Sequence, residues 1–286
     1  MKRKKNQRLN KPFLIFAAML LFISCENQRA RREFDQGQKL YQQGSFLEAI
    51  RNWEIILGSF PKSAYADDAL HWIGVTYYVD LDLPDRAIAA FSRLIKEHPD
   101  SSYGPQDQIL VADIFRNRRE YSRALTEYAR FLNLFPDNEK IPLVWYQLIT
   151  CLFEVGEYQA VRVQSEQLLK KFPQSEWADD CVYWIGESYF LQGDQKLARE
   201  YFQKYLKQYP KGELAFKSEM GIARSLEEEG YLPEAIAKYQ ELQTRYPSEK
   251  SAQTRLDSAQ KRLQNKQTGV VIAPDEEPEP LPTPIP

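Results

Sequence analysis

The chain has 286 residues, of which 43% are hydrophobic and 27% charged, so wholesale disorder is excluded. Only 12 glycines accompany 17 Tyr, 15 Phe and 5 Trp, which favours an aromatic-rich helical core over a glycine-led β architecture. Six of the 38 basic residues and none of the 40 acidic residues precede Glu26, so the chain without its first 24 residues has 32 basic and 40 acidic residues, a net charge of −8. A chain this acidic is a poor partner for nucleic acid or anionic lipid headgroups.

The first 24 residues have the organisation of a signal peptide. A basic stretch ends at Lys11, and the apolar run over residues 13–23 covers only about half of a hydrocarbon core of roughly 30 Å. Residues 22–25, Phe-Ile-Ser-Cys, are similar to a bacterial lipobox, which implies cleavage before Cys25, a lipidated Cys25 and a tether over residues 25–30. Several acyl chains, at about 0.8 kcal/mol per buried CH₂, would anchor the chain stably. The alternative is ordinary signal cleavage beside an incidental cysteine.

Prolines recur along the chain at a nearly constant spacing. They lie at Pro61, Pro99, Pro136, Pro173, Pro210 and Pro247, and the intervals are 38, 37, 37, 37 and 37 residues. Each unit is expected to contain a helix A, a tight turn, a helix B and the proline that ends helix B. Residues two positions after four of the prolines are predicted N-caps of the next helix A, namely Ser63, Ser101, Asn138 and Ser175.

Fixed positions before each proline indicate how the paired helices pack. Each unit has a small residue twelve positions before its proline, and five of the six units have an aromatic ring eight positions before it. The residues at these two positions are Ala49 and Trp53, Ala87 and Phe91, Ala124 and Tyr128, Val161 and Ser165, Ala198 and Phe202, and Ala235 and Tyr239. Small residues on helix A mark close contacts at Gly37, Gly74, Ala112, Gly186 and Ala223, with Gly74 displaced by one extra residue expected in the turn 80–84. Four glycines are placed to end helix A, namely Gly44, Gly156, Gly193 and Gly230.

This pattern resembles the tetratricopeptide repeat over residues 31–247, although the period is 37 residues instead of the family's 34. The longer variant is similar to repeats of bacterial envelope proteins of the BamD type, which are lipoproteins of outer-membrane β-barrel assembly, and of the periplasmic CpoB type. The repeats here are more uniform than in BamD, and no long insertion interrupts them. The resemblance implies an all-α fold, a right-handed α-solenoid of about six helix pairs with a C-terminal capping helix near residues 248–264, within a domain at 31–265.

Residues 266–286 differ in composition from the repeats. Six of the 17 prolines lie there, which predicts a disordered, acidic tail that acts either as a spacer or as a docking peptide. The two remaining cysteines, Cys151 and Cys181, are about 10 Å out of register along neighbouring helices, further apart than a disulfide allows. Buried thiols are therefore predicted, with a disulfide as the alternative.

The sequence offers little for catalysis. His71 and His98 have no Ser, Cys or carboxylate at the spacing of a known catalytic arrangement, and neither a phosphate-binding loop nor a CxxC or HExxH motif is present. The doublets Asp67-Asp68 and Asp179-Asp180 recur at the start of helix A, where the helix dipole favours negative charge. We therefore predict that the protein is not an enzyme and binds neither cofactor nor metal. A site in a helical groove that uses His71 or the doublets is the alternative.

A binding face is more credible, because aromatic side chains recur at two positions of helix A seven residues apart. They are Phe34, His71, Tyr146 and Tyr183, and then Tyr41, Tyr78, Phe153 and Phe190. In tetratricopeptide arrays this face borders the concave groove, so the resemblance implies an aromatic-lined channel for an extended or helical peptide. Burial between repeats is the alternative for the same rings. The adjacent positions Gln38, Val75, Asp113, Thr150, Glu187 and Arg224 include a single cation, which favours an apolar peptide over a carboxylate ligand.

Together these features predict a lipid-anchored scaffold for other envelope proteins. Glu26, rather than Asp, follows the cysteine, and by resemblance to the sorting rules of enteric bacteria this favours the outer membrane, so we expect the protein at its periplasmic face. The resemblance to BamD implies binding of barrel-assembly subunits or nascent barrel peptides, and no nucleic acid. The alternatives are coordination of cell-wall synthesis and division, as for CpoB, or assembly of a secretin or pilus.

Overall fold

The computed structural model describes the backbone of residues 11–268 and the side chains of residues 25–268. This part of the chain is all-α, with thirteen α-helices, one π-helical turn and no strand within residues 11–268. The chain divides into two compact units, Met1–Cys151 and Leu152–Pro286. The predicted all-α architecture of six helix pairs and a capping helix is confirmed.

The first unit contains three helix pairs and most of a seventh helix. The helices are α1 (Lys11–Gln42), α2 (Phe46–Ser59), α3 (Ala66–Val75), α4 (Pro84–Glu97), α5 (Gly104–Asn117), α6 (Tyr121–Leu134) and α7 (Ile141–Glu154), with a π turn at Thr76–Asp80. From α1 to α6 each helix packs against the next one along the chain. Helix α1 continues without a break through residues 25–30, which the sequence assigns to a tether.

The second unit contains the end of α7 and the remaining six helices. They are α8 (Tyr158–Lys171), α9 (Ala178–Leu191), α10 (Gln195–Gln208), α11 (Ala215–Glu228), α12 (Leu232–Arg245) and the capping helix α13 (Lys250–Thr268). Helix α13 buries Ala252, Leu256 and Ala259 against α12, and the opposite side of the helix is polar. It extends three residues into the segment predicted as a tail, and residues 269–286 lie outside the described residues.

Close packing of rings on glycines joins the paired helices, as predicted. The side chains of Trp53, Phe91 and Phe202 are fully buried. A Cβ atom added at Gly37 would overlap the Trp53 ring, and one at Gly74 would overlap Phe91. One added at Gly186 would lie 2.9 Å from Phe202, closer than van der Waals contact allows. The small residue thus sets how near helix A approaches helix B.

The 37-residue period comes from two consecutive backbone turns between helix B and the next helix A. The Ser63 N–H donates to the Phe60 carbonyl at 3.0 Å, and the Ala66 N–H then donates to the Ser63 carbonyl at 3.2 Å. The same two bonds recur at each later junction. Helix A therefore starts two residues later than expected, with Tyr65, Tyr103 and Trp177 as N-cap residues. The predicted N-caps at Ser63, Ser101, Asn138 and Ser175 are wrong because these residues lie inside the turns.

The turn from helix A to helix B uses one left-handed residue in every repeat. Gly44, Gly156, Gly193 and Gly230 have φ between +76° and +85°, so the prediction that they end helix A is confirmed. In the second and third repeats the same position is held by Asp82 (φ +51°) and Arg119 (φ +58°). These two non-glycine residues were not singled out by the sequence.

The extra residue of the second repeat lies in the π turn Thr76–Asp80, so its expected position in the turn 80–84 is wrong. The Leu81 N–H donates to the Thr76 carbonyl, five residues back, at 3.1 Å. Asp82 keeps its left-handed conformation seventeen residues before Pro99, so the repeat returns to register before α4 begins.

Candidate functional site

The predicted groove residues of the first repeat are packed among core rings. The Phe34 ring centroid lies 5.7 Å from that of Tyr65 and 6.4 Å from that of Trp53. Tyr41 lies 5.3 Å from Trp72 in an edge-to-face contact. Phe34 and Tyr41 are half-buried, so part of each ring contacts the core and part contacts solvent. We call these five residues the N-terminal aromatic cluster.

His71 is held between α3 and α5 by a carboxylate and a ring. Its Nδ1 lies 2.7 Å from Oδ1 of Asp107, and its ring stacks on Tyr103 with centroids 4.0 Å apart. Asp107 is fully buried, and this burial raises the pKa of its carboxyl, although the bond to His71 acts in the opposite direction. A His–Asp pair can hold or move a proton, but here it joins two repeats.

The aspartate doublet of the second repeat lies in the first turn of α3, as predicted. It also bonds to the next repeat, since Ser101 Oγ donates to Asp67 at 2.7 Å and the Tyr103 hydroxyl donates to Asp68 at 2.9 Å. Burial, and then the carboxylate of Asp68, raises the pKa of Tyr103 to about 12, so the phenol remains a donor. The doublet Asp179-Asp180 occupies the first turn of α9 in the same way.

The remaining predicted residues of the first unit are also half-buried. The Tyr78 hydroxyl, in the π turn, accepts a hydrogen bond from Asn117 Nδ2 at 3.1 Å. Tyr146 lies on α7 with part of its side chain exposed. All five predicted groove residues of the first unit are therefore half-buried, which agrees with both alternatives left open by the sequence.

The second unit repeats this arrangement with more burial. The Phe153 ring lies 4.5 Å from Trp184 and 5.6 Å from Tyr158. Tyr183 is only 8% exposed, and its hydroxyl donates to Glu187 at 3.3 Å. Burial raises the pKa of the Tyr183 hydroxyl. Tyr183 is therefore a core residue, whereas Phe153 is half-buried.

The single cation among the adjacent groove positions is already engaged. The Arg224 guanidinium lies 3.9 Å from the centroid of Phe190 and 3.1 Å from Glu187. Glu187 and Arg224 are 37 residues apart, one repeat, so they join neighbouring A helices. Arg224 is thus an internal partner of the predicted groove residue Phe190.

Cys25 lies on an exposed part of α1, close to the packed body of the first unit. Two residues later Asn27 Oδ1 accepts a hydrogen bond from the Ala64 N–H at 3.1 Å, and Ala30 is fully buried. The described segment that follows Cys25 is therefore a docked helix. Residues 1–10 of the predicted signal peptide lie outside the described residues. Within the described range, no helix combines the length and the apolar character that crossing a membrane requires.

Three further features concern chemistry. Among residues 25–268, no three His, Cys, Asp or Glu side chains converge in a way that would hold a metal ion. A cavity of about 560 Å³ lies between α2, α3 and α4, with the buried side chains of Leu70 and Ile73 and the exposed Glu54, Arg86 and Arg93 among its lining. Cys151 and Cys181 are buried thiols.

Sequence reasoning missed the partners that fix the predicted residues. Asp107 lies 36 residues after His71, Tyr103 lies 35 after Asp68, and Arg224 lies 37 after Glu187. Complementary side chains about one repeat apart were the available signal, because neighbouring repeats place such residues side by side.

Comparison with known proteins places these helix pairs in a familiar fold. Two segments, residues 68–101 and 180–212, match the tetratricopeptide repeat family, whereas no curated protein matches the chain significantly. PilW, a widely conserved type IV pilus biogenesis factor, is 17% identical with a TM-score of 0.51, covering 80% of this chain and 99% of PilW. MamA from Desulfovibrio magneticus RS-1, residue 41 to the end, is 15% identical with a TM-score of 0.51, covering 64% and 96%. Pseudomonas aeruginosa PilF is 13% identical with a TM-score of 0.49, covering 82% and 99%. At these identities the likeness to PilW and to MamA from Desulfovibrio magneticus is one of fold, and the chain is built from helix pairs of the tetratricopeptide type.

Proposed function

We propose that this protein is a non-catalytic scaffold that binds partner proteins or peptides through the aromatic face of its A helices. Tetratricopeptide repeats bind other proteins, and two segments of this chain match that family. The observation that carries the proposal is the recurrence of half-buried rings at equivalent positions of the first, second, fourth and fifth repeats. Phe34, Tyr41 and Tyr78 in the first unit illustrate the pattern, and Phe153 and Phe190 continue it in the second.

Half-buried rings are well suited to recognition. Their core contacts hold the side chains in place, so a ligand loses little entropy in ordering them. Their exposed edges offer apolar area, and aromatic residues dominate the energy of many interfaces. Since Arg224 is engaged by Glu187 and Phe190, the face favours an apolar or aromatic-rich peptide.

The proposed lipid anchor on Cys25 would hold this face near a membrane. After cleavage before Cys25, the anchor would sit on the helix that also carries Phe34 and Tyr41. At 1.5 Å of rise per residue these rings lie about 14 and 24 Å from Cys25 along the helix axis. The hydrogen bond from the Ala64 N–H to Asn27 Oδ1 holds the helix between Cys25 and these rings against the first unit. We infer that the groove begins close to the periplasmic surface of the outer membrane.

The partner class we favour is the outer-membrane β-barrel assembly machinery or its nascent barrel peptides, in a role resembling that of BamD. An apolar, aromatic-rich terminal peptide has the chemistry that the A-helix face would take. Depletion of the protein should then lower the amount of folded barrel proteins in the outer membrane. Normal barrel levels, with no assembly subunit bound to the captured protein, would refute this role.

A second candidate is the assembly of a pilus or secretin. PilW is described as a type IV pilus biogenesis factor, and the two chains share their fold over 80% of this one. Coordination of cell-wall synthesis and division, as for CpoB, is the third branch. Co-purification of secretin, pilus, peptidoglycan-synthase or Tol-Pal components in place of barrel-assembly subunits would select between these branches.

The deciding experiment is capture of the lipidated protein from its native envelope, with wild type compared with three variants. Cys25→Ala should lose palmitate labelling and membrane association. Tyr78→Ser should lose bound partner while keeping its thermal stability within a few degrees, because Tyr78 is half-buried in a turn. Leu134→Ala removes an apolar side chain of 48% exposure outside the face and should retain partner. Equal partner recovery with Tyr78→Ser and Leu134→Ala would refute binding at this face.

A further inference from the structure

Large exposed apolar side chains concentrate at one kind of turn. Among residues 25–268 nine such side chains are exposed, and six of them lie within three residues of a left-handed A-to-B turn position: Leu47, Val79, Leu83, Val155, Leu191 and Tyr231. Three of the six belong to the second unit, where Val155 is 38%, Leu191 44% and Tyr231 52% exposed. Single exposed apolar side chains are common, but apolar side chains that come together on a surface are typical of interaction sites.

The three side chains of the second unit lie at the same edge. All three lie at the turns that follow successive A helices: Val155 follows the last residue of α7, Leu191 is the last residue of α9, and Tyr231, in the turn after α11, is the N-cap residue of α12. The ring of Phe153 in the last turn of α7 contacts Trp184 of α9, and α9 packs against α11. At the usual 8–10 Å between packed helices, the three side chains extend over roughly 20 Å. We call this surface the A–B edge of the second unit.

Negative charge flanks the apolar side chains along this edge. Glu154 and Glu157 flank Val155, and Glu228 and Glu234 flank Tyr231, and all four are exposed. Within residues 152–268 none of these four carboxylates forms an ion pair. The nearby cation Arg199 is engaged by Glu229. The edge is therefore apolar and acidic.

Helix stability does not explain two of these acids. Glu154 is the last residue of α7 and Glu228 the last residue of α11. The C-terminal end of a helix carries partial negative charge, so a carboxylate there is unfavourable. Glu157 and Glu234, in contrast, lie at the start of α8 and α12, where the dipole favours them. The two unfavourably placed acids therefore favour a role in binding a positively charged partner over a role in helix stability.

We propose that the A–B edge of the second unit is a docking surface for a basic amphipathic helix of a partner protein. The apolar face of that helix packs on Val155, Leu191 and Tyr231, and its Lys or Arg side chains pair with the flanking glutamates. A helix repeats its apolar face every seven residues, 10.5 Å, close to the spacing of successive A helices. None of the seven residues of this surface, three apolar and four acidic, is among the predicted groove residues.

The probe is a synthetic 15-residue helix with leucines on one face and lysines on the other, matched by a peptide with glutamates in place of the lysines. Fluorescence anisotropy with the full mature chain should show binding of the lysine peptide that weakens as salt is raised. The glutamate peptide should bind at least tenfold more weakly. Equal binding of the two peptides would overturn the proposal.

The apolar contribution is tested with the double variant Leu191→Asn, Tyr231→Asn. Tyr231 is the N-cap residue of α12, where Asn is favourable, so this variant should fold. Its affinity for the lysine peptide should fall at least tenfold. The control Val163→Asn removes an apolar side chain of 44% exposure on α8 and should bind like wild type. Equal affinities of the edge variant and the control would refute the surface.

The acidic contribution has a readout that a structural role would not give. Glu154→Gln, Glu228→Gln should weaken peptide binding several-fold and flatten its salt dependence, yet leave the melting temperature unchanged or higher, because both acids oppose a helix dipole. Glu200→Gln, Glu213→Gln changes the net charge equally at exposed positions elsewhere in the unit and should bind like wild type. A lower melting temperature with unchanged binding would show that the acids are structural and would refute the proposal.

Discussion

Arg119→Gly should stabilise the protein, because Arg119 holds a backbone conformation that glycine adopts without strain. Its φ is +58°, the region that Gly44, Gly156, Gly193 and Gly230 occupy in other repeats. A side chain in this region costs about 1–2 kcal/mol. The greater freedom of glycine in the unfolded chain offsets about 0.5–1 kcal/mol of that gain. The Arg119 N–H bond to the Arg116 carbonyl, 2.9 Å, involves only the backbone and is kept. The net stabilisation is therefore about 0.5–1 kcal/mol.

The assay is thermal unfolding of the full chain combined with amide hydrogen exchange. For a chain of this size, that stabilisation raises the melting temperature by about 1–4 °C. Repeats need not unfold together, so exchange at the turn itself is the sharper readout. The Glu120 N–H, bonded to the Phe115 carbonyl at 2.9 Å, should exchange about two to five times more slowly.

Two matched variants separate backbone strain from side-chain effects. Arg119→Ala keeps a Cβ atom and should change the melting temperature little. Gly156→Ala introduces the strain in another repeat and should lower the melting temperature, although no atom lies within 4 Å of the added Cβ. If Arg119→Gly stabilised no more than Arg119→Ala, the argument from backbone strain would be refuted.

Three further predictions concern buried groups. Arg262→Met should loosen the capping helix by about 1.5 kcal/mol, because the buried carboxylate of Glu227 loses its 2.7 Å partner; faster amide exchange in α13, absent from the control Lys266→Met, is the measure. Burial raises the pKa of Asp107 above its usual 3.8, so the folded protein holds this proton more tightly than the unfolded chain and loses stability as the pH rises through the raised pKa. Urea unfolding at several pH values should show that Asp107→Asn gains stability relative to wild type as the pH rises above 3.8, and that this difference levels off above the raised pKa. A difference in stability that does not depend on pH would contradict the assignment. Burial raises the pKa of Cys181 to about 12, so in Cys25→Ser this thiol should resist iodoacetamide at pH 8 until urea is added; rapid labelling of the folded chain would contradict the burial.

The sequence predicted the features that depend on local geometry. A small residue and a ring at fixed distances before Pro61 identify the packing of Gly37 on Trp53, because helical periodicity determines which residues share a face. The sequence identified the left-handed position wherever glycine occupies it, as at Gly156. It was invisible at Arg119, because an arginine there has no feature that distinguishes it from a surface residue.

The features that failed depend on backbone or on tertiary context. Ser63 has the chemistry of an N-cap, but the backbone continues through a second turn before α3 begins, and the cap position falls on Tyr65. The pairing of His71 with Asp107 depends on how α3 faces α5, which no local pattern states. Likewise the aromatic positions indicated rings on one helix face, but not that Tyr183 is buried while Phe153 is half-exposed.

The two consecutive turns that join each helix B to the next helix A use only main-chain atoms for their shared hydrogen bonds. The residue after each proline accordingly varies freely, from Lys62 to Asp100 to Gln174. Such joints make the repeats interchangeable modules. A single in-frame duplication of 37 residues, cut at two equivalent prolines, would insert a complete extra helix pair with its joints already formed. A protein of this design can thus become one helix pair longer or shorter in a single genetic step, without new residues at the junctions between repeats.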